Sequence, residues 1–190
     1  MNKIIWPLLL CAVLCGCGGG ETSNAVQEQY RTLETARLEA EVTSHTSTDS
    51  RTFTLLCSYD ADGDAVTTVT DPGELAGLTA VVSGTDMTLS SEGLQLPAGA
   101  SLDICPANCL PYLLRALADG YVLEQSSEAL DDTPCLRLAL DTTAPGGGKV
   151  LCAVWLDAEG LFPRYAEFSR NEQVVLTVKL LAFTCTTSEG

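Results

Sequence analysis

The stretch CPANCLPYLLRALADG (Cys105–Gly120) interrupts a long series of strand-like segments and decides the fold class. Its leucines recur at intervals of three and four residues, which places them on one face of a helix: Leu110, Leu113, Leu114 and Leu117. Pro106 suits the first turn of such a helix, and Gly120 suits its end. The sequence therefore predicts a helix over residues 106–118, and Pro111 also permits a start at that residue.

Segments with an apolar residue at every second position surround this helix. They predict strands over residues 38–45, 52–59, 65–70, 78–83, 85–90 and 94–96 before it, and 121–126, 135–140, 149–157, 163–170 and 173–185 after it. Their even spacing is typical of an antiparallel meander. Strand 149–157 is apolar on both faces, which predicts burial on both sides. The apolar face of the last strand changes at Leu181, which predicts a β-bulge.

Two local signals complete this description. Asn24 is a good helix cap and precedes a run of helix-forming residues up to Arg37, so a first helix is expected there. Asp62-Gly63 lies between two predicted strands and indicates a hairpin turn. A calcium loop of the EF-hand kind is disfavoured, because the glycine of the acidic run Asp60–Asp64 is fourth rather than sixth.

The N-terminus has the pattern of a secretory signal peptide. Lys3 precedes an apolar run over residues 4–14, which would span about 16 Å as a helix against roughly 30 Å of hydrocarbon in a bilayer. The run ends in Leu14-Cys15-Gly16-Cys17, which resembles the lipobox of bacterial lipoproteins. That resemblance implies cleavage between Gly16 and Cys17 and a diacylglycerol on the Cys17 thiol. The alternative is an ordinary secretory signal, with Cys17 available for a disulfide.

The lipobox resemblance also sets the domain organisation and the location. We expect a lipoprotein signal peptide over residues 1–16, a lipidated linker over 17–23 and one domain over 24–190. The lipid on Cys17 is the only attached group expected, with no other cofactor and no metal. It would anchor the chain on the extracytoplasmic face of the cell membrane. Gly18, rather than Asp, follows the lipidated cysteine, so an outer membrane is also a possible site in a host that has one.

The composition excludes several classes of partner. The chain has 10 Lys and Arg against 25 Asp and Glu, a net charge of −15. Nucleic acids require cations against their phosphates, so no nucleic acid partner is expected. Anionic lipid headgroups attract basic segments, so membrane attachment must depend on the lipid anchor.

Cysteines are frequent in the predicted domain. Six follow Cys17, and an even number in an extracytoplasmic protein predicts disulfides among Cys57, Cys105, Cys109, Cys135, Cys152 and Cys185. Six cysteines allow fifteen pairings, and the sequence does not choose among them. Zinc is the weaker alternative, because it favours ligands at short spacing and only Cys105 and Cys109 lie close together.

Signatures of catalysis are missing from the sequence. It has no Gly-x-Ser-x-Gly elbow, no phosphate-binding loop and no histidine pair for zinc. The single histidine, His45, falls on the polar face of a predicted strand, where a surface role is expected. The chain is therefore expected not to be an enzyme.

The order of elements resembles the LolA-like superfamily, which includes lipoprotein carriers and the germination lipoproteins of spore formers. The resemblance covers roughly residues 24 to 185. It is carried by the turn Asp157–Gly160 before Leu161-Phe162-Pro163, by the stretch Pro72–Leu78 and by the leucine-rich helix around residues 113–117. It implies an α+β fold: a strongly curved antiparallel sheet, or half-barrel, with an N-terminal and a central helix packed on its concave face.

The same resemblance implies a function. LolA-like proteins enclose an apolar cavity, and the residues expected to line it here are Leu110, Leu113, Leu114, Leu117, Val150 and Val154. We expect a lipid or another hydrophobic ligand, bound locally because a lipidated protein cannot shuttle. One alternative is an adaptor that docks an envelope or spore-cortex peptidoglycan enzyme. Another is that these leucines simply fill a packed core.

Overall fold

The computed structural model describes residues 19–99, 103–144 and 146–188. The predicted signal peptide, its cleavage site and Cys17 lie outside these residues.

The described chain forms two helices and eleven strands. The helices are α1 (Gly19–Arg31) and α2 (Cys109–Asp119). The strands are β1 (Leu33–His45), β2 (Ser50–Asp60), β3 (Ala65–Asp71), β4 (Thr79–Ser83), β5 (Asp86–Ser91), β6 (Leu94–Gly99), β7 (Tyr121–Leu130), β8 (Thr133–Thr143), β9 (Lys149–Asp157), β10 (Pro163–Arg170) and β11 (Gln173–Thr187). A 3₁₀ turn, Gly73–Leu75, joins β3 to β4.

All eleven strands belong to one antiparallel sheet with the order β6-β5-β4-β3-β2-β1-β11-β10-β9-β8-β7. Two meanders therefore meet in the middle, where β1 pairs with β11. The connection between the meanders contains α2 and runs from one edge strand, β6, to the opposite edge strand, β7. The predicted α+β class and antiparallel sheet are confirmed.

One large core cluster unites both helices with the sheet. It contains Val26 and Tyr30 from α1, the leucines of α2, and inward residues of the strands such as Leu38, Leu138 and Phe168. In β1 the residues predicted to share a face, Leu38, Ala40 and Val42, are all buried, as expected for a strand with one covered face. A smaller cluster, Ala65, Ala80, Val82 and Met87, lies in the first meander.

Strand β9 is fully buried on one face and only partly covered on the other. Its inward residues are fully covered, but Leu151 on the other face is 39% exposed. The Trp155 ring on that face is partly covered by Arg137, whose guanidinium lies 5.3 Å from the ring centroid. The Trp155 indole also donates to Glu128 at 2.9 Å. The apolar pattern on this face thus reflects a tryptophan shielded by a neighbouring arginine.

The helix α1 is displaced relative to its prediction. It begins at Gly19, so residues 19–23 of the predicted linker are helical, and it ends at Arg31 instead of Arg37. Ser23 is 7% exposed and continues the buried stripe of Val26 and Tyr30 one turn earlier, which explains the early start. Residues from Leu33 onward pair with β11, and this pairing outweighs their helical propensity.

The helix α2 begins at Cys109, three residues after the predicted start. Residues 106–108 form a turn instead, held by the buried side chain of Asn108. Asn108 accepts a hydrogen bond from the Cys105 amide at 2.9 Å and donates one to the Asp103 carbonyl at 3.0 Å. Pro111 lies in the first turn of α2, where a helix does not need its amide.

The predicted β-bulge is confirmed. Glu39 pairs with Ala182 and Ala40 pairs with Leu180, so Leu181 is the extra residue of β11. Its side chain is 51% exposed. The bulge therefore turns an apolar residue to the surface while the strand keeps its pairing with β1.

Candidate functional site: an apolar cavity between the two core clusters

The six residues predicted to line a cavity lie in the main core. Their side chains are 0–1% exposed and belong to the large cluster: Leu110, Leu113, Leu114, Leu117, Val150 and Val154. Their burial agrees with the alternative that these leucines fill the core. An apolar cavity is found elsewhere, in the first meander.

This cavity has a volume of about 180 Å³. Strands β2 to β5, the 3₁₀ turn and the loop before α2 enclose it through the side chains of Phe53, Leu55, Thr67, Val69, Leu75, Leu78, Ala80, Leu89, Cys105, Pro106 and Ala107. We call it the apolar cavity. Nearly all of these groups are hydrocarbon, so the cavity favours an apolar occupant.

Strand register brings the floor of the apolar cavity together. Thr67 of β3 pairs with both Cys57 of β2 and Ala80 of β4, and Ala80 pairs in turn with Leu89 of β5. A single row of side chains thus crosses four strands on one face of the sheet.

The cavity lies between two groups of apolar side chains. Leu55 belongs to the main core cluster, and Phe53 and Val69 pack against that cluster. Ala80 belongs to the small cluster, and Leu89 packs against it together with Cys105 and Ala107. The apolar cavity is the gap between them, bounded by small side chains such as Ala80.

Thr67 lies at the floor of the cavity, and Cys57 is its strand partner on β2. The Thr67 side chain is buried, and its hydroxyl makes no hydrogen bond of ordinary geometry. Beside it, burial raises the pKa of the Cys57 thiol to about 11, and the Thr67 hydroxyl offsets part of this rise. At neutral pH the Cys57 thiol is therefore protonated.

A larger cleft of about 520 Å³ lies at the C-terminal end of α2, but its charges are already paired. Arg115 donates to the Gly84 carbonyl at 2.8 Å. Asp119 lies 3.5 Å from Arg31, and Asp141 lies 3.7 Å from Lys149. Each charged side chain of this cleft thus has a partner within the chain, and the apolar cavity is the better ligand site.

The expected disulfides are not found. All six predicted cysteines are free thiols in the structure: Cys57, Cys105, Cys109, Cys135, Cys152 and Cys185. Strand pairing explains the outcome for three of them. Cys135 lies opposite Asp157 and Glu128, Cys152 lies opposite Leu140 and Phe168, and Cys185 lies opposite Ala36. None of these neighbours is a cysteine.

His45 takes part in a ladder of cross-strand hydroxyls. Its two ring nitrogens lie 3.0 Å from the Ser50 hydroxyl and 3.3 Å from the Thr177 hydroxyl. Ser50 is the direct partner of His45 in the β1–β2 pairing. Thr43 and Thr52 form a similar hydroxyl pair one step along the same strands, at 2.9 Å. His45 therefore fits a structural role in strand pairing.

Sequence reasoning did not single out the residues of the apolar cavity. Leu55 and Ala80 carry the same period-two signal as side chains that pack tightly elsewhere, so the pattern predicts their face and not the gap. A gap depends on the summed volumes of side chains from four strands and a loop. The only local signal was the Pro72–Leu78 stretch, which contributes Leu75 and Leu78.

Within residues 19–99, 103–144 and 146–188, neither helix is long and apolar enough to cross a membrane.

Similarity to known proteins is found for the structure and not for the sequence. No protein-family model matches the sequence, and a search of curated proteins finds no match. The structure is similar to a DUF1329 family protein from Desulfovibrio piger, with a TM-score of 0.51, 12% identity and coverage of 90% of this chain and 95% of that chain. A LolA superfamily protein from Nitrosomonas europaea matches with a TM-score of 0.47, 11% identity and coverage of 90% and 94%. LprF from Mycobacterium bovis matches with a TM-score of 0.49, 12% identity and coverage of 89% and 95%. At such identities the likeness concerns the fold alone, and the resemblance of the sequence to the LolA-like superfamily stays a prediction.

Proposed function

We propose that this chain is an extracytoplasmic lipoprotein, anchored through Cys17, whose LolA-like domain binds a lipid or another hydrophobic ligand without catalysing a reaction. The apolar cavity is the observation that carries the proposal. A binding site of this kind gains affinity from apolar surface removed from water, at about 25 cal/mol per Å². The lipid anchor would keep this site at the membrane surface, where such ligands are found.

The contacts of α2 support a curved sheet with the helices on its concave face. This helix touches both β2 and β8, which are five strand spacings apart in the sheet order. In a flat sheet that separation would be about 24 Å, more than the length of an eleven-residue helix, about 16 Å. Arg115 of α2 also donates to the carbonyl of Gly84, so the helix contacts the connection between β4 and β5 as well. A sheet that bends around α2 would bring both strands within reach of the helix.

The size of the apolar cavity limits what it holds. Pockets for drug-sized ligands measure about 300–1,000 Å³, and this one measures about 180 Å³. It would take the end of one hydrocarbon chain, with the remainder of the ligand outside.

Uptake of a fluorescent fatty acid by the purified domain tests the proposal. The variant Ala80→Trp fills the cavity from its floor, and Leu89→Trp fills it from β5. Leu96→Trp is the matched control, because Leu96 is 67% exposed on β6. We expect both cavity variants to lose uptake and the control to keep it. Absence of uptake by the unchanged protein, or full uptake by both folded cavity variants, would contradict the proposed site.

Attachment to the membrane is tested separately. In a bacterial host, Cys17→Ser should move the full chain from the membrane fraction to the soluble fraction and remove the lipid mass from the mature protein. Cys15→Ser is the control and should remain lipidated. If Cys17→Ser is still found in the membrane fraction with lipid attached, the acceptor has been misassigned.

A further inference from the structure

We infer that Cys105 and Cys109 are a dithiol site whose oxidation to a disulfide tightens the loop before α2 and alters the apolar cavity. The effect on ligand binding rests on the function proposed above, whereas the disulfide itself does not.

Three of the six free thiols lie in one region. Cys57 belongs to β2, Cys105 precedes α2, and Cys109 is the first residue of α2. Burial raises the pKa of Cys109 well above its ordinary value, and the charges of Cys105 and, less strongly, Cys57 raise it further. Cys105 is thus the stronger neighbour of Cys109.

The backbone places Cys105 and Cys109 within reach of each other. The Cys109 amide donates to the Cys105 carbonyl at 3.0 Å, which closes one helical turn between them. Side chains four residues apart on such a turn have Cβ atoms about 5–6 Å apart. A disulfide needs about 3.8 Å between Cβ atoms. Closing the disulfide therefore requires the turn 105–108, which lies outside α2, to tighten by about 1–2 Å.

The two thiols differ in access. Cys105 is partly exposed and lines the apolar cavity, whereas Cys109 is fully buried with its thiol donating to the Pro106 carbonyl at 3.4 Å. Backbone amides of Ala107 and Asn108 favour the Cys105 thiolate, although burial raises its pKa more than they lower it. Cys105 is therefore the thiol that an external reagent meets first, and Cys109 is the thiol that resolves the intermediate.

The oxidant is an external disulfide, either a thiol oxidoreductase or a small disulfide. The Cys105 thiolate attacks one sulfur, the external S–S bond breaks, and one external thiolate leaves. The Cys109 thiol then loses its proton and attacks the Cys105 sulfur of the mixed disulfide, releasing the second external thiolate. In total two cysteine thiols give up two electrons and two protons, and the external disulfide gains them.

The cavity responds because the tightened turn is part of its wall. Cys105, Pro106 and Ala107 close the apolar cavity opposite the strands. Shortening the distance between Cys105 and Cys109 displaces these three residues relative to the floor formed by β2 to β5. Oxidation should therefore change the affinity for an apolar ligand.

Peptide mapping after treatment with oxidised glutathione tests the disulfide. Cleavage before aspartate puts Cys105 and Cys109 together in peptide 103–118 and Cys57 in peptide 49–59. After alkylation under denaturing conditions, we expect peptide 103–118 to be lighter by two hydrogen atoms and unalkylated, and peptide 49–59 to be alkylated. Cys105→Ser should abolish the lighter species, and Cys185→Ser should not. A link from Cys57 to either cysteine, or full alkylation of peptide 103–118, would overturn the assignment.

Binding of the fluorescent fatty acid to the oxidised and reduced forms tests the consequence. We expect a several-fold difference in apparent affinity between the two forms, absent in Cys105→Ser. Equal affinities with the disulfide present would overturn the effect on the cavity. If neither form binds the probe, the function proposed above fails, while the mapping still decides whether the dithiol closes.

Discussion

At the scale of single residues, the buried side chain of Asn108 affects both a helix and the candidate site. Its side chain is 4% exposed and holds the loop before α2 through one accepted and one donated hydrogen bond. The same loop supplies Cys105, Pro106 and Ala107 to the wall of the apolar cavity. One buried amide thus fixes both the start of a helix and one side of the candidate site.

We expect Asn108→Ala to lower the free energy of unfolding by about 1–3 kcal/mol, because the Cys105 amide and the Asp103 carbonyl lose a buried partner. Thermal unfolding followed by circular dichroism measures the change. Asn24→Ala is the control: Asn24 is exposed within α1, and alanine is the better helix former, so no loss is expected. Equal stability of Asn108→Ala and the unchanged protein would show that water replaces the amide.

At the scale of elements, the connection between β3 and β4 illustrates how a turn positions a site. Gly77 has a φ of +89° and donates its amide to the Val69 carbonyl at 2.9 Å. Its neighbours in the chain include Leu75 and Leu78, which both line the apolar cavity. The left-handed conformation of Gly77 therefore sets the direction from which Leu75 and Leu78 enter the apolar cavity.

Gly77→Ala should lower the free energy of unfolding by about 1–2 kcal/mol, because an L-residue in a left-handed conformation is strained. Gly73→Ala is a matched control in the same connection. A Cβ at either position meets no heavy atom within 4 Å, so the two variants differ only in backbone conformation. Urea unfolding measures the free energy of unfolding of both variants, provided that its slope against urea concentration is unchanged. Equal losses of stability in the two variants would contradict this explanation.

The bounds of a helix or strand could be predicted where the local sequence signals agree with the strand pairing in the structure. The strand β10 was predicted at its observed bounds, because Asp157–Gly160 and Asn171-Glu172 mark turns on either side. The end of α1 was not, because residues 33–37 have helical propensity but pair with β11. The apolar cavity was not predicted either, since a gap between two core clusters is a property of their combined packing.

At the scale of the whole molecule, burial of thiols couples stability to alkaline pH. Cys57, Cys109 and Cys152 all have a pKa raised mainly by burial, which disfavours the charged thiolate. The folded protein therefore retains protons that the unfolded chain releases. The stabilisation from these groups is complete below their ordinary pKa near 9 and is lost as the pH rises through the raised values.

For Cys57 alone the shift to about 11 corresponds to roughly 2–3 kcal/mol of stability lost between about pH 9 and 11. Cys57→Ala should therefore reduce the loss of stability over this range. Val82→Ala also removes a buried side chain but no thiol, and should keep the full pH dependence. Stability curves of the reduced proteins at several pH values measure the difference, and identical slopes for the two variants would contradict it.

The pairing of β1 with β11 has a mechanical consequence. Leu33, at the start of β1, lies opposite Thr187, at the end of β11, and the Ser188 amide donates to the Thr32 carbonyl at 2.8 Å. Tension applied between residue 33 and residue 187 would load these hydrogen bonds one pair at a time, as in opening a zipper, instead of all together. Under force the sheet should begin to separate at the joint between its two meanders.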